Sequence, residues 1–222
     1  SILLFNILPI WDSSSQLREK TTEAIILTLM STSGFMLMVD SENLIMLFIG
    51  LEIGSISLYA LAGLNRVDKL SNEASLKYFL LGSLASCIFI YGVSLVYVSF
   101  SVLSVYDFAT GVGFVGADSV PLTTKLGVIL IFIGLLFKIA AAPFQSWAPD
   151  VYQGSPTGYV GYMASIAKAS AFIVIARLCQ VSLRFMPNEF DSFFLFVVIL
   201  SVIIGSIFAT VQDDLKRLLA YS

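Results

Sequence analysis

The chain has 222 residues, of which 58% are hydrophobic and only 12% are charged, and its mean hydropathy is +0.92. This composition is far more apolar than that of a soluble domain. It excludes a disordered protein, and the net charge of −3 argues against a nucleic-acid partner. The sequence has no histidine, which excludes Ser-His-Asp and HExxH sites within it, and its two cysteines are too few for a disulfide framework.

Long apolar runs separated by short polar links predict an all-α protein, a polytopic transmembrane helix bundle. A span needs roughly 20 residues, and most of the runs reach that length. Lipid offers no partners to the backbone, so these runs are expected to be helical. We predict about six spans after an interfacial or remnant segment at 1–23, and a loop at 111–116. In chain order, the runs cover residues 24–39, 43–64, 73–100, 122–143, 156–180 and 191–211.

Basic residues in the links predict the orientation of the bundle. Links that carry more lysine and arginine lie on the cytoplasmic side of a membrane. One side carries Arg18, Lys20, Arg66, Lys69, Lys216 and Arg217, and the other carries Lys125 and Arg184. The first side is therefore predicted to face the cytoplasm or the mitochondrial matrix.

Four ionisable residues within the apolar runs are candidate functional residues, namely Glu52, Lys77, Lys138 and Lys168. A charge inside a membrane is costly, so such residues usually pair with each other or line a proton path. Lys77 is close enough to the end of its run for its ammonium to reach the interface instead. Glu52 and Lys168 are too central for that. A buried acid and a row of lysines could pass protons through coupled charge changes.

Pro143 indicates a break in the fourth helix, five residues after Lys138. Proline removes a backbone donor and clashes with the preceding turn. A helix that is broken at membrane depth exposes carbonyl groups and dipole ends, which transporters use to bind ions. The alternative is that Pro143 simply marks the end of the fourth span.

Three blocks of sequence carry a family resemblance. FKIAAAPFQSWAPDVYQGSPT (137–157) resembles a signature of the antiporter-like membrane subunits of respiratory complex I. EASLKYFLLGS (73–83) and DDLKRLLAYS (213–222) resemble the N-type branch of these subunits, subunit 2. The resemblance extends from about residue 24 to the end of the sequence. It departs at Gln145, where the family usually has histidine, which makes a proton-carrying role at that position doubtful.

The resemblance implies roles for the same four residues. Glu52 resembles a glutamate that pairs with a lysine on the next helix, here Lys77. Lys138 resembles the central lysine of the broken helix, and Lys168 resembles the lysine that leads to the next half-channel. The implied function is proton translocation in a non-redox subunit of NADH:ubiquinone oxidoreductase. Flavin, iron–sulfur clusters and quinone are expected in partner subunits, with no cofactor or metal in this chain.

Family members carry two inverted five-helix repeats, which divides the sequence into a first repeat at 24–180 and the start of a second at 181–222. The expected partners are other membrane-arm subunits, lipids and a chain that supplies the second repeat. The mitochondrial inner membrane is the expected location, with the bacterial plasma membrane as the alternative. Two other functions stay open: a multisubunit cation/proton antiporter, or a structural membrane scaffold whose charges merely pair.

Overall fold

A computed structural model describes residues 21–116, 119–182 and 187–221. The described chain is built from helices, which confirms the predicted all-α, polytopic membrane bundle. The predicted segment 1–23 lies outside the described residues except for its last three, which belong to α1. The α-helices are α1 (Thr21–Asp40), α2 (Leu44–Ala62), α3 (Lys69–Phe100), α4 (Val105–Val115), α5 (Leu122–Lys138), α6 (Trp147–Gly154), α7 (Thr157–Tyr162), α8 (Lys168–Ser182), α9 (Pro187–Thr210) and α10 (Leu215–Tyr221), and the π-helix Met163–Ala167 joins α7 to α8.

Five helical segments of the described residues are long and apolar enough to cross a membrane, where the sequence predicted about six. They are Thr22–Asp40, Leu44–Ala62, Lys69–Phe100, Thr157–Gln180 and Phe190–Thr210. The difference lies in the fourth apolar run, where helix α5 has only 17 residues and ends at Lys138. At 1.5 Å per residue it is about 26 Å long, which is shorter than the hydrocarbon core of a bilayer. A second, eight-residue helix, α6, follows after the break.

Glycines bring two helix pairs into close contact. A Cβ atom on Gly34 of α1 would lie 2.4 Å from the backbone nitrogen of Gly54 on α2, and one on Gly50 would lie 2.5 Å from the backbone of Met38. Between α3 and α5, a Cβ on Gly92 would lie 2.6 Å from the carbonyl oxygen of Gly127. Small residues at such crossings let membrane helices pack through their backbones. These contacts hold α2 against α1 and α3 against α5, and α2, α3 and α5 carry three of the four candidate residues, Glu52, Lys77 and Lys138.

Helix α4 connects α3 to α5 and lies against the link between α1 and α2. The backbone of Leu44 donates to Leu103 at 2.8 Å, and Val105 donates to Glu42 at 2.9 Å. Ser104 caps the helix by accepting from the backbone nitrogen of Asp107. Because α4 continues to Val115, the loop predicted at 111–116 is mostly helical.

Helix α9 presents a wide apolar surface. Only 6% of its most apolar stretch is buried within the described part of the chain. Side chains such as Leu195, Phe196 and Val202 are each more than half exposed. In a membrane protein this face is suited to lipid or to further helices.

Candidate functional site

Lys138 is the most deeply buried ionisable residue among the candidates. It is the last residue of α5, and it is only 6% exposed. Its Nζ donates hydrogen bonds to Ser55 Oγ at 2.8 Å and to Tyr59 Oη at 3.0 Å, both on α2. In the described residues, no carboxylate lies within ion-pair distance of this ammonium group. Two neutral hydroxyl groups therefore solvate the charge, an arrangement that permits exchange of a proton more readily than a salt bridge would.

The chain leaves the helical path immediately after Lys138. Ala140 adopts a left-handed conformation with φ of +58°, which is strained for a residue with a Cβ. Pro143 lies in the segment between α5 and α6, so the interruption falls where the sequence placed the proline break. Side chains from elsewhere bind the freed backbone groups: the Ala142 nitrogen donates to Ser201 Oγ at 2.9 Å, and Trp147 Nε1 donates to the Phe137 carbonyl at 3.0 Å. Specific side-chain hydrogen bonds therefore stabilise the interruption between α5 and α6.

Glu52 lies near the middle of α2, on the face that carries Ser55 and Tyr59. Residues three and seven positions apart share a face of a helix. The Glu52 carboxylate accepts a hydrogen bond from the hydroxyl of Ser86 on α3. It lies one helical turn before Ser55, the residue of α2 that binds Lys138 Nζ. The structure therefore assembles an acid on α2 and an ammonium on α5 around one polar strip of α2.

Lys77 does not pair with Glu52, contrary to the expectation from the family resemblance. Its Nζ lies 2.7 Å from Asp150 Oδ2 on α6 and 2.7 Å from Glu73 Oε1, one turn earlier on α3. The reason is position along the helix: Ser86, the α3 residue that meets Glu52, is nine residues beyond Lys77. That separation is about 13 Å along the helix axis, too far for a lysine side chain to cover.

Asp150 is a functional candidate that the sequence reasoning missed. Its second carboxylate oxygen accepts from Arg217 Nη1 of α10 at 2.8 Å, and the same Nη1 donates to Gln153 at 2.9 Å. Two cationic donors favour the ionised carboxylate. Asp150 thereby connects α3, α6 and α10. The sequence offered one indication of this role: Asp150 lies inside the signature block at 137–157, four residues after the non-helical segment between α5 and α6.

Lys168 begins α8, directly after the π-helical turn, a type of turn that is frequent at functional sites. Its Nζ lies 5.6 Å from the centre of the Tyr152 ring, a cation–π distance. It lines a cavity of about 520 Å³ together with Ala140, Ala142 and Gln145 of the break. The amide oxygen of Gln145 is buried and has no hydrogen-bond partner within the described ranges. The cavity can hold water molecules, and both the break and Lys168 face it.

From α2 to α8, the interior of the bundle holds Glu52, then Lys138, then the cavity with Lys168. Lys77 and Asp150 form a separate ionic cluster. This order suits proton transfer between sites that exchange charge. Across the residues that the structure describes, no group of three or more cysteine and carboxylate side chains is placed to hold a metal ion.

Comparison with known proteins relates the chain to one family. Residues 41–222 match the family model described as NADH:quinone oxidoreductase/Mrp antiporter, transmembrane. NADH-quinone oxidoreductase subunit N 1 of Chloroherpeton thalassium is 42% identical over 205 residues, which are 90% of this chain and 42% of that protein. The chain thus spans less than half the length of the curated relatives it matches.

Two solved structures are also similar. A chain in respiratory complex I from Thermus thermophilus with bound aureothin has a TM-score of 0.75 and 38% identity, covering 90% of this chain and 42% of that chain. A chain in the Mrp complex from Dietzia sp. has a TM-score of 0.72, with 18% identity over 83% of this chain and 20% of that chain. The second likeness is at the level of the fold alone.

Proposed function

Because this chain belongs to the family of NADH:quinone oxidoreductase and Mrp antiporter transmembrane subunits, we propose that it translocates protons as subunit N of NADH:quinone oxidoreductase. It does so as a non-redox part of the enzyme, driven by electron transfer in partner subunits that hold flavin, iron–sulfur clusters and quinone. The subunit N relatives near 40% identity favour this proposal over an Mrp-type cation/proton antiporter, to which the likeness is one of fold.

One observation carries the proposal: a lysine buried at a helix break is held by two hydroxyl groups near a carboxylate. Burying such a charge is costly, and a protein that needed only packing would have an apolar residue there. A lysine in this setting can exchange its proton, because burial brings the charged and neutral forms closer in free energy. A purely structural scaffold would satisfy the charge with a salt bridge, which Lys138 lacks within the described chain.

The proposed route runs from the Glu52 and Lys138 site, through the cavity behind the helix break, to Lys168. Lys77 belongs to the ionic cluster around Asp150. Its positive charge influences the proton route electrostatically, without carrying the proton itself. Pro143 and its neighbours keep the segment between α5 and α6 out of the helix, so that the backbone can face the cavity. This assignment keeps all four candidate residues but gives Lys77 a different partner from the one that the sequence suggested.

We expect Glu52→Gln to lower NADH-driven proton pumping by at least about tenfold. Glutamine keeps the shape of the side chain and can still accept the hydrogen bond from Ser86, but it has no charge with which to stabilise a neighbouring ammonium. Quenching of a pH-sensitive dye in inverted membrane vesicles measures the pumping rate. Native gel electrophoresis of the same membranes checks that the complex assembles.

The matched control is Glu42→Gln, since Glu42 is exposed in the link between α1 and α2 and its carboxylate lies outside the site. The control should pump at the wild-type rate. Wild-type pumping by an assembled Glu52→Gln complex would instead favour the scaffold function, in which the charges serve only packing.

We also propose that helices of a second inverted repeat cover the apolar face of α9. The relatives are more than twice as long as the matched region, and the face of α9 that carries Phe196 is exposed. A photoreactive amino acid at Phe196 should therefore cross-link to membrane helices of the complex. The same probe at Val67, which is 93% exposed in the link between α2 and α3, is the control. Cross-links to lipid alone at Phe196 would contradict this arrangement.

The other proposed partners are the neighbouring subunits of the membrane arm and bilayer lipids. The protein is a multi-pass membrane protein. Its proposed compartment is the mitochondrial inner membrane, with the bacterial plasma membrane as the alternative, and the curated relative named above, from Chloroherpeton thalassium, is bacterial. Fractionation of the source cells distinguishes the two membranes.

A further inference from the structure

Tyr59 connects Lys138 to a cleft at the surface of the bundle. The cleft has a volume of about 440 Å³ and lies between α2 and α3. Its polar lining comes from Arg66, Asn72 and Ser75, around the connection between the two helices, and Tyr59 forms part of its wall. Among the described residues, Tyr59 is the side chain that both lines this cleft and bonds to Lys138.

Tyr59, which bonds to Lys138, lies close to the end of α2. Tyr59 lies three residues before Ala62, the end of α2, which corresponds to about 4.5 Å along the helix axis. The connection beyond carries Arg66 and Lys69, on the side that the basic residues assign to the cytoplasm or matrix. This is the side from which a respiratory proton pump takes up protons.

The two hydroxyl groups that hold Lys138 differ in what their protons can do. Ser55 donates its proton to the Leu51 carbonyl at 2.5 Å, so that proton is already engaged in a backbone hydrogen bond. Tyr59 accepts from Lys138 at 3.0 Å and also makes a side-chain hydrogen bond with Ser55, and among the described residues its phenolic proton is not bound to a backbone carbonyl. Tyr59 therefore has a proton to give and an oxygen that can receive one.

We propose that Tyr59 is a hydroxyl relay through which Lys138 takes up protons from the cleft between α2 and α3. When Lys138 is neutral, its amine accepts the phenolic proton of Tyr59, and the phenolic oxygen takes a proton from a hydronium ion in the cleft. The products are an ammonium group, an intact phenol and a water molecule, so charge and atoms balance. This inference rests on the proposed function, because it requires Lys138 to exchange protons.

Gly82 supports this geometry from α3. A Cβ atom at Gly82 would lie 2.1 Å from Tyr59 Oη and 2.7 Å from Cζ of the same ring. The ring has little room to move, because it packs edge-on against Tyr78 at 4.7 Å and Phe79 at 5.9 Å. A side chain at position 82 would thus displace the hydroxyl from Lys138.

The test uses Tyr59→Phe in the assembled complex, with pumping measured in inverted vesicles over a range of external pH. We expect the variant to pump about tenfold more slowly near neutral pH, the scale of one hydrogen bond to a charged group. Direct uptake from water replaces the relay, so the deficit should shrink as the pH is lowered and protons become more abundant. The titratable and charged groups around the relay are Glu52, Tyr78 and Lys138, with Arg66 at the mouth of the cleft.

Three variants separate the possible explanations. Ser55→Ala removes the other hydroxyl group that binds Lys138. We expect it to lower the pumping rate by a factor that does not shrink as the pH is lowered. Gly82→Ala should reproduce the pH-dependent defect, and it serves as the test if Tyr59→Phe does not assemble. Tyr91→Phe, at an exposed tyrosine of α3, should pump like the wild type.

Normal pumping by Tyr59→Phe, or a defect that does not change with pH, would overturn the relay. The outcome for Lys138→Ala distinguishes this failure from that of the proposed function. If Lys138→Ala is defective while Tyr59→Phe pumps normally, only the relay is lost. If Lys138→Ala also pumps normally, the translocation function itself is wrong.

Discussion

Lys138→Ala is expected to reduce NADH-driven proton pumping by about a hundredfold, the lower range for loss of a positioned acid–base group. The substitution removes the ammonium group that bonds to Ser55 and Tyr59, the two residues that share a face of α2 with Glu52. Because the hydroxyl groups of α2 can bind water in the space left by the side chain, the complex should still assemble. Pumping per NADH oxidised, measured in inverted vesicles, gives the effect on translocation separately from electron transfer.

Lys138→Arg distinguishes a fixed charge from an exchanging proton. Arginine keeps the positive charge near Glu52, but its guanidinium does not release a proton at physiological pH. We therefore expect Lys138→Arg to assemble and to pump as poorly as Lys138→Ala. Wild-type pumping by the arginine variant would mean that Lys138 acts as a structural charge. Lys69→Ala, at an exposed lysine on the first residue of α3, is the control for loss of a positive charge.

The spans and the polar residues inside them could be predicted from the sequence because both depend on local pattern. Apolar runs of about 20 residues leave little choice but helices in lipid, and a charge in the middle of such a run is visible without a structure. Pro143 indicated an interruption after Lys138 for the same reason, since proline acts on its own backbone and the preceding turn. The length of α5 was harder to predict. The apolar run continues through the break to residue 143, whereas the helix ends at Lys138.

The partners of the charged residues could not be predicted in the same way, because they are set by helix packing. Lys77 and Asp150 are 73 positions apart in sequence and meet only because α6 packs against α3. The family resemblance pointed to Glu52 as the partner of Lys77. In the structure, the packing of α2 against α3 places Ser86, and not Lys77, next to Glu52. The role of Tyr59 was equally hidden, since a tyrosine in an apolar helix most often only packs.

Asp150→Asn is expected to loosen α10 from α6. Asparagine retains a hydrogen-bond acceptor but has no charge, so among the described residues Lys77 keeps only Glu73 as an ionic partner and Arg217 loses its carboxylate. The Asp150 side chain is 32% exposed, so the ion pairs are partly screened, and we expect a loss of about 1–2 kcal/mol in the free energy of opening this contact. That energy corresponds to a roughly 5–30-fold larger equilibrium constant for the opening of α10.

Hydrogen exchange of the purified complex measures this opening, for example at the Leu218 amide, which donates to the Asp214 carbonyl at 2.9 Å. Arg217→Gln should accelerate exchange in the same segment, and the double variant should be less affected than the sum of the two, because both substitutions remove the same ion pair. Asp107→Asn, at an exposed carboxylate of α4, should leave exchange in α10 unchanged. Exchange at the wild-type rate in Asp150→Asn would show that Lys216, which donates to the Ser155 carbonyl at 2.9 Å, and the side-chain amides hold α10 in place without the carboxylate.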